Sequence, residues 1–125
     1  IAILDNADLS YANLSNINWG ADMKNQSMGL MRASLKKANL TGADLTNANL
    51  SRAMLRFANL SHAKLQNAQL FAANLEGADL SNADLTDADL TSTKLSNANF
   101  TKANLTRTIL KNTKDKVMAR GLKGK

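Results

Sequence analysis

His62 is the only histidine in a 125-residue chain without cysteine, so imidazole chemistry has a single candidate. It stands in the stretch NLSHAKL, with no carboxylate placed to orient the ring and no serine at a nucleophile turn beside it. Those neighbours favour a solvated surface imidazole. The one concentration of carboxylates is Asp79, Asp84, Asp87 and Asp89. A calcium site needs roughly six to eight convergent oxygens, and a spacing of five sends three of these four to different sides once the elements around them are considered. Gly42, Gly77 and the other glycines are isolated, so no loop cradles a phosphate. Without cysteine there is neither a disulfide framework nor a thiolate metal site. No enzymatic activity, metal, cofactor or small-molecule substrate is expected.

The elements that would position such groups follow one rhythm. From Leu30 to Leu110 every fifth residue is Leu, with Phe100 the sole exception among seventeen positions. Two residues earlier stands Ala, from Ala33 to Ala103, except Thr93. Between the two sits mostly Asn or Asp, and Ser or Thr often follows. A helix advances about 100° per residue, so a repeat of five carries Leu around the whole cylinder. A straight strand alternates faces, so an odd repeat sends successive Leu to opposite sides. The pattern works if Ala and Leu both point inward and the remaining residues turn the chain through a corner. Such repetition marks a solenoid whose coils bury one another, and Asn, Asp, Ser and Thr suit its turns because their side chains bond nearby backbone.

A[DN]LXX in tandem resembles the pentapeptide-repeat family, and the resemblance covers nearly the whole chain. It implies an all-β solenoid, a right-handed quadrilateral β-helix with four repeats per coil and the Leu and small residue inside. Leu4, Leu9, Leu14 and Trp19 follow the same rule in another phase, and Lys24 to Ser27 reads as a bulged corner. The expected organisation is a β-helix over 1–110, irregular near 20–29, with about 5.5 coils and a length of roughly 26 Å. Residues 111–125 form a basic cap or tail. Within it a short helix is expected, with Asn112 or Thr113 as N-cap and Gly121 as its stop, laying Val117, Met118 and Leu122 over the last coil. Members of this family are widespread in bacteria, especially cyanobacteria, and occur in cytoplasm, periplasm and thylakoid lumen. The resemblance does not supply a compartment for this chain; the cytoplasm is favoured over periplasm and thylakoid lumen.

The net charge of +6 is local, since seven cations against Asp115 from Arg107 onward account for all of it. Residues 1–106 are neutral. The seven, Arg107, Lys111, Lys114, Lys116, Arg120, Lys123 and Lys125, are candidates for contact with an anionic partner, nucleic acid or membrane, although a solvating end is the commoner reason for such a run. A second candidate is a group of large or charged side chains where the repeat elsewhere has small polar ones: Met31, Arg32, Lys36, Lys37, Arg52, Met54, Arg56, Phe57 and Phe71. Residues twenty apart should stack. Arg52 and Phe71 then share one face with Met31 and Arg32, Lys36 and Lys37 lie over Arg56 and Phe57 on the next, and Met54 marks the shared corner. Exposed Phe and Met ringed by Arg is the composition of a protein interface.

The leading expectation is a non-enzymatic interaction module with another protein as partner, present as a monomer or an end-to-end dimer. Some members of the family protect gyrase by resembling duplex DNA. That role needs a carboxylate-studded surface, and the neutral body and basic tail have the wrong sign for it.

Overall fold

The computed structural model describes residues 2–20, 32–122 and 124–125. Its framework is a ladder of parallel single-residue bridges. One column runs Ser34–Met54–Asn74–Lys94–Lys114, and three sister columns pass through Asn59, Lys64 and Gln69. Consecutive members are twenty residues apart, so the chain returns over itself after every four repeats. The register expected from the Leu rhythm is the register found.

Each face is three residues wide. Ala58 and Leu60 are buried while Asn59 between them is exposed, and the same in–out–in order recurs along the chain. Two residues then turn the corner, closed by a bond such as that from the Ala58 amide to the Leu55 carbonyl at 3.1 Å. The second corner residue always has positive φ, 59° at Phe57 and 61° at Asn47 for example, which is the sign pattern of a type II turn. This corner resolves the odd period: it rotates the chain so that the next Ala and Leu again face inward.

The Asn or Asp of each repeat has a second task. From its outward position it reaches past the following Leu and accepts a hydrogen bond from the first corner amide. The amide of Thr41 donates to Asn39 and that of Ser81 to Asp79, at 3.1 and 2.9 Å. The corner hydroxyl often donates to the same oxygen, as Thr91 does to Asp89 and Thr101 to Asn99. This Asx-type closure is the physical content of the sequence order Asn/Asp–Leu–Ser/Thr.

Stacked Leu and Ala fill the interior, each buried Leu contributing about 1.5–3 kcal/mol before entropy. Thr93, the exception among the alanines, is fully buried and satisfied by donating to the Leu90 carbonyl at 2.9 Å. At the two ends the core is only partly covered, over Leu4, Leu9, Leu14 and Trp19 on one side and Leu105 and Leu110 on the other.

Two regions depart from the regular step. Ile3, Asp8, Asn13 and Asn18 bridge to residues thirty-one positions later, eleven more than elsewhere, yet all four columns stay in phase. The bulged corner expected at Lys24 to Ser27 lies outside the described residues. At the other end the ladder runs on past residue 110, with Lys114 bridging Lys94 and Arg120 bridging Asn99. The second of these steps is one residue too long. The surplus is taken up by a single 3-10 turn, Lys116–Met118, in place of the helix expected across 112–121. Its N-cap is Asp115 rather than Asn112 or Thr113; Asn112 has φ 55° at an ordinary corner. Leu122 is buried over the core as expected, whereas Val117 is 93% exposed and Met118 54%. Bonding to the preceding circuit, not helix propensity, sets this end.

Candidate functional site

The column that contains Met54 gathers most of the residues singled out in the sequence. Met54 lies at the middle of its face, bridged to Ser34 and Asn74, and not at a corner as the column reading expected. The error is one of phase, because the corner is the pair after each Leu and Met54 precedes one. The flanking corners carry the rest. On one side Lys36 and Lys37 lie next to Arg56 and Phe57, the Lys37 amide donating to the Arg56 carbonyl. On the other, Arg52 is bonded through its amide to the Phe71 carbonyl at 2.7 Å. Arg32 is exposed immediately before the face begins. Met31 lies outside the described residues.

Each corner holds a guanidinium–phenyl pair. The Arg52 guanidinium carbon is 5.5 Å from the centroid of Phe71, and that of Arg56 is 5.4 Å from the centroid of Phe57. Both are within the range of cation–π attraction. The Cδ1–Cε1 edge of Phe57 also packs on the neighbouring circuit: a Cβ added to Gly77 would come 2.5 Å from both atoms, so the missing side chain there makes room for the phenyl. Phe57 nevertheless remains 55% exposed and Phe71 40%. Arg56 Nε stands 3.6 Å from a Glu76 carboxylate oxygen and is sealed from solvent without a hydrogen bond.

The backbone adds an observation the sequence did not offer. Lys37, Arg52, Phe57 and His62 all occupy the positive-φ corner position, with φ between 59° and 65°. Asn6, Asn47, Asn67, Asn82 and Asn97 hold the equivalent place elsewhere. Left-handed backbone costs an ordinary L-residue roughly 1–2 kcal/mol, a penalty that Asn largely avoids. Tyr11, Lys102 and Arg107 hold the same conformation at other corners, so every corner imposes it and Lys37, Arg52 and Phe57 occupy it where Asn would be less strained.

The basic end is not a free tail among the described residues. The Arg107 guanidinium makes two bonds to Asp87, at 2.6 and 3.0 Å, which hold that carboxyl below the usual range and raise the arginine. Lys111 is exposed at a corner, Lys114 and Arg120 are ladder residues, and Lys116 Nζ donates to the Lys125 carbonyl oxygen at 2.6 Å. Lys123 lies outside the described residues.

The catalytic alternatives gain nothing from the geometry. His62 sits at an exposed corner, and Asp79, Asp84 and Asp89 fall in three different columns. Among the described residues no group of three or more His, Cys, Asp or Glu comes together. The carboxylates instead serve the corners. The Asp8 carboxyl is held below its usual range first by the Ser10 hydroxyl and then by the Ser10 amide, at 2.7 and 3.1 Å. A depressed carboxylate contributes stability that is complete above its ordinary pKa, about 4, and is lost as pH falls through the lower folded value. Asn39 fills the same place one circuit later, bonded to Thr41 in the same way. Asp8→Asn is accordingly expected to leave the melting temperature at neutral pH nearly unchanged and to flatten its fall below about pH 4. Thermal melts across that range check it.

The family model described as Pentapeptide repeats (8 copies) matches residues 33–70 and 68–107. Among solved structures the chain is similar to HetL, a pentapeptide repeat protein involved in heterocyst differentiation regulation from the cyanobacterium Nostoc sp. strain PCC 7120. The two are 40% identical with a TM-score of 0.81 over 90% of this chain and 48% of HetL. The chain thus spans about half the length of that relative. It is also similar to Rfr23, a pentapeptide repeat protein of the cyanobacterium Cyanothece 51142, at 32% identity and a TM-score of 0.54 over 94% of this chain and 90% of Rfr23. A search of curated proteins gave no significant match.

Proposed function

Because the chain belongs to the pentapeptide-repeat family, we propose that it is a non-enzymatic interaction module, a rigid right-handed quadrilateral β-helix that presents its Met54 face to a protein partner. The observation that carries this reading is the pairing of two exposed phenyl rings with two guanidinium groups on either side of Met54. Aromatic, Met and Arg side chains are the residues enriched at interface centres. Arg52 and Phe57 stand at corners where Asn is the less strained choice, and residues held against backbone preference gather at functional sites. Similarity to HetL, itself involved in regulating differentiation, fits a module that works by contact.

The test uses the same strain. Phe57→Asn combined with Phe71→Ser removes both rings while giving one corner the residue its backbone prefers. The double variant is expected to keep or raise the melting temperature and to lose the crosslinked partner that the parent captures from extract of its source organism. A variant that retains the same crosslink at undiminished yield overturns the reading.

A further inference from the structure

Charge that looks neutral along the chain is sorted by column. To the five cations already described around the Met54 face, the ladder adds Lys94 and Lys114 in the Met54 column, and Lys111 at the corner bonded to Ser92. Against these eight, and Lys116 in the turn after Lys114, stand Asp5, Glu76 and Asp115 among the described residues of that face and its two corners. The first two are committed. Asp5 accepts from the Ser34 hydroxyl at 2.6 Å and the Lys36 amide at 3.0 Å, and Glu76 faces Arg56. The other three columns and their remaining corners reverse the balance. There Asp8, Asp44, Asp79, Asp84, Asp87 and Asp89 outnumber Lys64, Lys102, Arg107 and Arg120 among the described residues.

We infer that the Met54 face, from Arg32 to Lys114, is a lengthwise docking strip for an acidic polypeptide segment. The inference rests on the interaction-module reading and adds the chemistry and direction of the partner. Charge complementarity is the argument for the occupant. A strip with nine cations to three carboxylates attracts an anionic chain, and the acidic columns on the other sides repel the same chain from landing there. The rings decide which anionic chain. A single-stranded nucleic acid binds by stacking bases on open aromatic faces. Here the Cδ1–Cε1 edge of Phe57 packs against Gly77 and Arg56 is set over the ring, while Arg52 is set over Phe71. A guanidinium held over a ring still directs its N–H groups outward in its own plane, the geometry that meets a carboxylate in two parallel bonds. Met54 between the two pairs supplies an apolar floor for the uncharged side chains of the segment.

The test measures fluorescence anisotropy of labelled poly-glutamate and of a single-stranded oligothymidylate of equal charge. The titrants are the full chain, the Arg52→Glu/Arg56→Glu double variant, and a Lys64→Glu/Lys102→Glu control with the same change in net charge. Thermal melts verify that all three fold. The expected result is poly-glutamate binding that weakens about tenfold or more in the Arg52/Arg56 variant and stays within about twofold in the control. Equal weakening in both variants reduces the attraction to net charge and overturns the strip. Absence of poly-glutamate binding, or tighter binding of oligothymidylate, overturns the acidic segment as occupant. If the crosslinked partner still depends on Phe57 and Phe71 in those last cases, the interaction face stands and only the assigned chemistry falls.

Discussion

Leu60→Ala is expected to destabilise the protein by about 3–4 kcal/mol. Leu60 is fully buried, between Leu40 and Leu80 in the same stack, with its amide bonded to the Asp79 carbonyl and Asn59 bonded on to Leu40. The interior at that level consists of one Ala and one Leu per face, so few side chains can move into the space that truncation leaves. The backbone cannot close it either, because each circuit is pinned to the next by parallel bridges. Stability in such an array is the sum of repeats and their nearest-neighbour contacts. A cavity at the centre therefore weakens the contact with both neighbours, whereas Leu110→Ala, at a partly covered end, is expected to cost much less. Urea denaturation of the two variants gives the comparison. Equal losses at the two sites contradict a core that transmits stress only between adjacent circuits.

Gly121→Ala is expected to release the last turn. Gly121 has φ 83°, and an added Cβ would come 2.5 Å from the Phe100 carbonyl carbon and 2.7 Å from both its oxygen and the Thr101 nitrogen. Those are main-chain atoms and cannot rotate aside, in contrast to the phenyl ring opposite Gly77. The backbone conformation alone costs a substituted residue roughly 1–2 kcal/mol, and the collision adds to it. The Phe100 amide bond to Arg120 and the Arg120 amide bond to Ala98 depend on the same turn. Hydrogen exchange should accelerate at these two amides and spare the first circuit, so Trp19 fluorescence at the opposite end remains that of the parent. Unchanged protection at Phe100 counts against the turn as the clasp on this end.

The inward residues were legible because burial leaves them no freedom. A five-residue beat of Ala and Leu hides both in a solenoid, and the four repeats per circuit that the family resemblance implies are those of the ladder from Ser34 to Lys114. The Asn and Asp preference was legible as turn chemistry, whereas the specific reach over Leu to the corner amide depends on the fold of the corner itself. Three features were hidden for separate physical reasons. Positive φ at Lys37, Arg52 and Phe57 leaves no mark in residue type, since the turn imposes it from outside. The expected helix after residue 110 followed from a broken rhythm, but one surplus residue breaks a rhythm as well as a helix does, and the ladder absorbs it in a 3-10 turn. The mid-face place of Met54 was hidden because the repeat alone does not mark which of its members turns the corner. The sorting of charge is hidden in the linear sequence, where Lys36 and Lys94 are far apart, and emerges down the face they share.

The ladder also determines how this molecule yields to force. Its two ends lie at opposite ends of the stack, and each circuit is held by four isolated bridges with their adjoining bonds, not by long strands that would shear together. Tension applied to the ends loads the outermost circuit first and leaves its neighbour intact until that one is peeled away. Through the regular part of the ladder extension should then proceed in instalments of twenty residues, each releasing roughly 65–70 Å of chain. The molecule unwinds like thread from a spool, and a partner gripping the middle of the Met54 face would stop the unwinding there.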